Sequence, residues 1–207
     1  MKWIITKRPF VLLKMAETLD GKIATATGDS KWVTSATARK RVSDLRLLAD
    51  AIIAGGDTWR LDHPQFTSRT PSGEIRKKCR LFAATHQKRI PERDDVECVV
   101  LDSKEQWNAF LEQLGKENIT MLLIEGGGKL ASNALRCAVV DEIEFHIAPK
   151  ILGGEKSRSS VSGWNPTCMT EAIPLKNMRV GHLGTDFFVR AYPDYSLTER
   201  SFPCSQD

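Results

Sequence analysis

No stretch of this sequence reaches the roughly 18 uninterrupted apolar residues needed to cross a bilayer as a helix, so no membrane span is expected. The early apolar run Trp3-Ile4-Ile5 is broken by Lys7, Arg8 and Pro9 and is too short for the apolar segment of a secretory leader. An excess of one charge is also missing. The 30 basic residues exceed the 26 acidic ones by only 4 and are interspersed with them, which denies nucleic acid a basic stripe to bind. A slight positive field suits anionic small molecules instead. Cys79, Cys98, Cys137, Cys168 and Cys204 are odd in number and lie far apart, without the paired spacing of a zinc site or a small disulfide scaffold, so a reducing cytoplasm is the expected setting. His63, His86, His146 and His182 stand singly, which favours core or surface roles over a metal centre. Gly-x-Ser-x-Gly does not occur, and with it goes the nucleophile elbow of a serine hydrolase.

What is present points to one α/β unit. A chain of 207 residues, 41% hydrophobic, can bury one full core, and neither an internal repeat nor a low-complexity tract divides it. The polar stretch 68–78 is too short for a convincing interdomain linker. Residues 10–15 read as a buried strand, interrupted by Lys14 and ended by the turn Leu19-Asp20-Gly21. From a cap at Thr34 or Ser35, the residues Ala38, Val42, Leu45, Leu48 and Ala49 recur at helical spacing. Strands are expected at 51–54, stopped by Gly55-Gly56, and at 80–85 and 97–101, with a helix at 103–115. Residues 120–124 suit the centre of a sheet and lead into Gly126-Gly127-Gly128, after which 129–138 return to helical spacing. Residues 142–148 alternate charged and apolar side chains, the pattern of a strand, and 178–183 with 186–192 read as a hairpin around Gly184-Thr185. This order predicts a mainly parallel central sheet flanked by helices with a C-terminal antiparallel hairpin, in one domain over residues 1–192. Residues 193–207 read as a polar, poorly ordered tail.

Three segments carry chemistry. The first is Glu125-Gly126-Gly127-Gly128-Lys129-Leu130-Ala131, between a strand and a helix. Its glycines let backbone approach a ligand, and the free amides and dipole of a helix start attract a pyrophosphate, so a nucleotide is expected here. Gly126-x-Gly128-x-x-Ala131 satisfies a relaxed dinucleotide fingerprint but lies past mid-chain, and Leu130 after Lys129 excludes a Walker phosphate loop. A merely flexible turn is the plainer alternative, disfavoured by the backbone entropy that three adjacent glycines cost. The second segment, 56–69, reads as a loop after a short strand that gathers a carboxylate, hydroxyls and a guanidinium where α/β sheets bind ligands; a solvated loop fits its spacing equally. The third, running from Leu19 to Thr34, offers the Ser30 hydroxyl and the flat face of Trp32, although Trp32 as a lid over the core fits equally.

In chain order, Arg8-Pro9-Phe10, Leu19-Asp20-Gly21-Lys22-Ile23-Ala24, Gly28-Asp29-Ser30-Lys31-Trp32-Val33-Thr34, the segments 58–69 and 125–131, and the stretch from Asp141-Glu142 to Ala148-Pro149-Lys150-Ile151-Leu152-Gly153-Gly154 carry a resemblance. Over most of its length the chain resembles the reductase domain of the bifunctional riboflavin-pathway deaminase-reductase, a family with the dihydrofolate reductase-like α/β fold. The resemblance implies hydride delivery from NADPH to C1 of the ribose of 5-amino-6-(5-phosphoribosylamino)uracil, giving the ribityl compound. Opening the sugar to an imine needs proton transfers, so a carboxylate beside it is chemically required. The resemblance offers Asp62 as acid-base residue, Glu125 as a substrate-contacting carboxylate and Lys14 beside the pyrimidine carbonyl, with the proton steps among them left open. For the substrate phosphate it implies Ser30, Arg46 and Arg69, whose guanidinium forks suit phosphate oxygens, and a backbone contact at Phe66. For NADPH it implies Ala16, Trp32, Thr58, Asp62, Gly127, Gly128, Lys129, Leu130, Ala131, Ser132 and Asn133. The basic residues of Ala84-Thr85-His86-Gln87-Lys88-Arg89, His86 among them, are candidates for the 2′-phosphate. A homodimer is implied as well.

Two departures stand out. Asp62-His63-Pro64 replaces the Asp-Asp-Pro usual in the family, and no His-x-Glu with Pro-Cys-x-x-Cys occurs, so a separate protein is expected to deaminate. The wording of residues 28–34 is closer to bacterial members, which reduce after deamination, than to archaeal or fungal reductases, which reduce before it. The competing readings are a same-fold reductase of a pterin, against which Arg46 and Arg69 count; reduction of the undeaminated diaminopyrimidine; and an inactive NADPH-binding regulator, against which Lys14, Asp62 and Glu125 count.

Overall fold

The first long strand is apolar on both faces because it is covered on both. In β1 (Phe10–Thr18), Val11, Leu13 and Met15 enter one core cluster while Leu12 enters a second on the opposite side of the sheet. Strands buried in this way read as continuous apolar runs rather than alternating ones. The computed structural model describes residues 2–70 and 72–197. Around β1 the chain adds α1 (Lys2–Thr6), β2 (Lys22–Ala24), α2 (Ala36–Leu48), β3 (Ala51–Gly55), α3 (Gly56–Asp62), β4 (Ser68–Arg69), β5 (Ile75–Lys77) and β6 (Arg80–Ala84). Then follow β7 (Val96–Val99), α4 (Lys104–Lys116), β8 (Met121–Glu125), α5 (Gly128–Arg136), β9 (Glu142–Ala148), β10 (Arg158–Ser159), β11 (Leu175–Leu183) and β12 (Asp186–Pro193).

Eight strands form one sheet in the order β11-β12-β9-β1-β8-β3-β6-β7. From β9 to β7 every neighbouring pair is parallel, and β12 and β11 close the other edge antiparallel, as the sequence predicts. Helices α4 and α5 cover one face, where Trp107, Phe110, Leu111, Leu130 and Ala134 pack on Leu13, Ile53 and Ile124. The other face takes α2 and α3, where Leu45 and Trp59 pack on Leu12, Ile52 and Leu123. Each such buried aliphatic side chain contributes about 1.5–3 kcal/mol. The helix starts are fixed chemically. Ser35 Oγ accepts from the Ala38 amide, and Ser103 with Gln106 forms a reciprocal capping box.

Several expectations need correction. Segment 56–69 is not a loop throughout: residues 56–62 form α3, whose single deeply buried anchor, Trp59, gives no visible period in so short a helix. The stretch 68–78, too short for a linker, holds the small pair of β4 and β5, which the sequence reading did not include. Leu48, placed on the apolar face of α2 by spacing, is 61% exposed, whereas Leu45 and Ala49 on the same helix end are buried. Trp32 is 66% exposed and is no lid over the core. Of the expected tail, Pro193 ends β12 and Tyr195–Leu197 form a 3₁₀ turn, while residues 198–207 lie outside the described part. Helix α1 and the β2–β10 pair have no counterpart in the sequence reading.

Candidate active site

A cavity of about 980 Å³ follows the C-terminal ends of the parallel strands. Its lining passes from Lys14 and Ala16 on β1, through Glu125 and Gly126 at the end of β8, Gly55 and Gly56 at the end of β3 and Ala84 to His86 at the end of β6, to Val100 and Asp102 after β7. Four strand intervals of about 4.8 Å make this edge roughly 19 Å long. That length matches an extended dinucleotide, and strand ends are where open α/β sheets bind ligands.

A row of charge crosses the sheet under one end of the cleft. Lys14 registers with Glu125 on one neighbouring strand and with Glu144 on the other. Ala38, Val42 and Leu45 seat α2 on the sheet, and this carries two arginines down to the row. Arg46 grips Glu125 through Nε at 2.9 Å and Nη2 at 2.5 Å; Arg41 grips Glu144 at 2.9 and 2.8 Å. Such two-pronged pairs are geometrically demanding and strong. Burial pulls the Lys14 ammonium below the usual lysine value, with Arg46 adding to the fall and Glu125 and Glu144 opposing it. Burial alone would raise the carboxyl of Glu125, but Arg46 and Lys14 outweigh it and hold it below the ordinary range. In Glu144 the same contest of burial against His146 and Arg41 ends at about 2. Burial lowers His146 as well, so its ring is neutral. Nε2 lies 2.9 Å from the Glu144 carboxylate and must donate to it, which leaves the buried Nδ1 a bare acceptor with no partner among the described residues.

Beside this row, Ser30 Oγ donates to Asp62 Oδ1 at 2.8 Å, which brings two sequence candidates together across 32 residues. Asp62 ends α3, and His63, in the left-handed conformation at φ 44°, caps that helix with its side chain exposed. The glycine turn answers two demands. Gly126 and Gly127 both lie at φ 91°, and a Cβ on either would come within 3.5 Å of Thr58 Oγ1. At Gly128 a Cβ would collide with the Ser159 carbonyl and stand 2.7 Å from Ser162 Oγ, so this glycine admits the chain's own 157–162 segment. The first amides of α5 have no acceptor within the helix and start at the cleft, and side chains at 126 and 127 would fill the groove in front of them. These residues fit the pyrophosphate of a nicotinamide dinucleotide.

Of the residues singled out in the sequence, Lys14, Ala16, Ser30, Trp32, Arg46, Thr58, Asp62, Phe66, His86, Glu125, Gly127, Gly128, Lys129, Leu130 and Asn133 all line the cleft. Arg69, Ala131 and Ser132 do not. Arg69 is exposed and donates to Thr67 Oγ1 and the Gly73 carbonyl, while Ala131 and Ser132 lie on the buried side of α5. Lys88 and Arg89 also lie outside the lining. Asn133 spends its amide inside the protein, accepting from Trp107 Nε1 at 2.6 Å and donating to the Asp102 carbonyl at 3.2 Å. Sequence reasoning passed over Arg41, Glu144 and His146 because an alternating charged strand reads as half-exposed, whereas Glu142, Glu144 and His146 are all buried. It also passed over Arg39, stacked 4.3 Å above the Trp32 ring, and Asp20, whose carboxyl is held at about 2 by bonds from Thr18, Leu152 and Gly153 and ties the β1–β2 turn to the 150–153 loop.

Sheet order, the C-terminal antiparallel hairpin and a cleft along the strand ends define a protein of the dihydrofolate reductase-like α/β class. Residues 9–189 match the RibD C-terminal domain family, and the chain belongs to it. Riboflavin biosynthesis protein RibD of Actinobacillus pleuropneumoniae is 32% identical over 90% of this chain, which spans 57% of that protein. A relative from Methanothermobacter thermautotrophicus, named 2,5-diamino-6-ribosylamino-4(3H)-pyrimidinone 5′-phosphate reductase, is 33% identical, with 88% of this chain covering 97% of it. The crystal structure of a Thermotoga maritima diaminohydroxyphosphoribosylaminopyrimidine deaminase/5-amino-6-(5-phosphoribosylamino)uracil reductase superposes with a TM-score of 0.76 at 28% identity, covering 93% of this chain and 59% of that one.

Proposed function

We propose that this chain is the reductase of riboflavin biosynthesis that converts the ribosyl group of 5-amino-6-(5-phosphoribosylamino)uracil to ribityl at the expense of NADPH. The observation that carries the reading is the buried Lys14, set between two arginine-paired glutamates and beside the Ser30–Asp62 pair, at one end of a cleft of dinucleotide length. When bound, NADPH supplies a hydride. The protein's own task is to manage protons and position. Opening the furanose delivers a proton to the ring oxygen and removes one from the exocyclic nitrogen, leaving an imine at C1, and reduction then returns a proton to that nitrogen. Asp62 is the carboxyl at the cleft wall suited to this exchange, and Ser30 orients it. Lys14 presents an ammonium to a pyrimidine carbonyl, since its depressed pKa makes it a ready proton donor. Arg46 keeps two N–H groups beyond its bonds to Glu125 and the Thr67 carbonyl, and these are available to a phosphate.

A second substrate is the undeaminated diaminopyrimidine, favoured by the relative from Methanothermobacter, which this chain matches over nearly its full length. We further infer a single domain, a homodimer, a cytoplasmic setting and a separate deaminase. The test is NADPH oxidation by the purified protein with the deaminated compound, the diamino compound and dihydrofolate side by side. Turnover confined to the phosphoribosyl compounds supports the assignment, and the better one fixes the order of deamination and reduction. NADPH binding with turnover of none of the three refutes it.

A further inference from the structure

The far end of the cleft, opposite Lys14, closes on a carboxylate. Asp102 follows β7, the edge strand, and lines the cavity with Thr85, His86 and Val100. Its backbone is pinned at both ends. The Asp102 amide donates to Gln106 Oε1 at 2.6 Å, and its carbonyl accepts from Asn133 Nδ2 at 3.2 Å. Gln106 belongs to the capping box of α4, and Asn133 is itself anchored by the buried Trp107. The side chain, by contrast, is 62% exposed, and among the described residues it meets the His86 imidazole, whose Nε2 lies 3.0 Å from Oδ2 and 3.3 Å from Oδ1. A carboxylate held so firmly by its backbone, with its oxygens turned to an open cavity end, is built to receive something.

Resting on the reading of the cleft as a dinucleotide site, we propose that Asp102 forms the adenosine-ribose subsite and sets the choice between the two nicotinamide cofactors. The glycine turn before α5 follows β8, one strand from Lys14 on β1 and three strands from Asp102 beyond β7. A dinucleotide with its pyrophosphate there and its nicotinamide at Lys14 puts its other half toward β6 and β7. An acidic side chain at a strand end accepts hydrogen bonds from a ribose 2′-hydroxyl and repels a 2′-phosphate, whereas a phosphate-selecting site carries arginine. Among the described residues the arginines nearest this end are committed or outside it: Arg60 is bound to Asp57 and Gln87, and Arg89 does not line the cavity. The remaining cations are Lys129, on the first turn of α5 beside the pyrophosphate position, and His86, which offsets Asp102 only when protonated. The chain therefore accepts NADH alongside NADPH, and Asp102 restrains the preference for the phosphorylated form.

The experiment is equilibrium binding of NADPH and NADH, with adenosine 2′,5′-bisphosphate and adenosine 5′-phosphate as half-molecule probes, to the full chain and to its Asp102→Asn and His86→Ala variants. Calorimetry or tryptophan quenching reads binding without turnover. Asp102→Asn removes the repulsion and weakens the acceptor, so the ratio of NADPH to NADH affinity rises about tenfold, the worth of one charge-assisted hydrogen bond. The bisphosphate gains over the monophosphate in parallel, and His86→Ala moves both ratios the other way. Tight binding of both dinucleotides with ratios unmoved by Asp102→Asn overturns the subsite while leaving the cofactor reading intact. Binding of neither dinucleotide overturns both. A circular dichroism spectrum superimposable on the parent's confirms that each variant is folded.

Discussion

The pair of Arg46 and Glu125 is the sharpest test of the charged row, because it separates a structural ion pair from a loose surface contact. Both side chains are largely buried, at 22% and 9% exposure, and two nitrogens of one meet both oxygens of the other. Arg46→Met leaves Glu125 buried with Lys14 as its remaining neighbour, and Glu125→Leu leaves Arg46 and Lys14 as adjacent buried cations. Removing one partner of such a pair costs about 3–5 kcal/mol. In a chain of this size each kcal/mol shifts the melting temperature by about 2–4 °C, so either single change lowers it by roughly 6–20 °C. The double replacement removes both members of the pair and leaves Lys14 beside the Arg41–Glu144 pair, so it costs less than the sum of the singles by about 0.5–3 kcal/mol. Urea unfolding followed by the fluorescence of buried Trp59 and Trp107 measures all three. Additive costs below about 1 kcal/mol each, the range of an exposed pair, would falsify the account. In activity assays Arg46→Met also raises KM for the phosphorylated substrate more than it lowers kcat, because its two spare N–H groups serve binding rather than chemistry.

The folded-state pKa of Glu144 lies below its unfolded value, so its contribution is present above about 4.5 and is lost as pH falls toward about 2. Stability titrated from pH 7 to 2 shows this acid limb, and Glu144→Gln flattens it; an unchanged limb sinks the assignment. Asp62→Asn keeps dinucleotide binding and loses about 10²- to 10⁴-fold in kcat, the range of a lost proton-transfer group, and an unaltered kcat removes Asp62 from the chemistry. Gly128→Ala drives a methyl into the Ser159 carbonyl and costs about 1–3 kcal/mol; denaturant midpoints and protease cutting within 157–162 report it, and parent-like behaviour in both refutes the close approach.

Much of the fold was legible because its signals are local. The glycine turn at 126–128 lies between an apolar run and a helical period, Ser35 and Ser103 stand where helix caps belong, and Gly184 breaks two strand patterns that pair as expected. The misreadings have a common cause in tertiary context. Helix α3 is held by Trp59 edge-on against Phe66 and by the Trp59 Nε1 bond to the Phe82 carbonyl, contacts no seven-residue window displays. In β9 the alternation of Glu142, Glu144 and His146 with apolar residues gives the strand but not the burial of its charged members, which depends on Arg190 and Arg41 arriving from β12 and α2 to neutralise the glutamates. Resemblance supplied Lys14, Asp62 and Glu125 as candidates, and only sheet register makes Lys14 and Glu125 neighbours across 111 positions of sequence.

The row also explains why a lysine can sit in the interior of this sheet. Three basic side chains, Lys14, Arg41 and Arg46, meet two acidic ones, Glu125 and Glu144, and each glutamate has its own guanidinium. With both arginines fixed as cations, Lys14 is the member whose charge is negotiable, and burial biases it toward losing its proton. A hydrogen bond to an oxygen acceptor in the cleft favours the charged form and opposes the effect of burial. Neither arginine can take this part, because a guanidinium does not release its proton in a protein. That is the physical reason for a lysine at position 14 and for two arginine-clamped glutamates beside it.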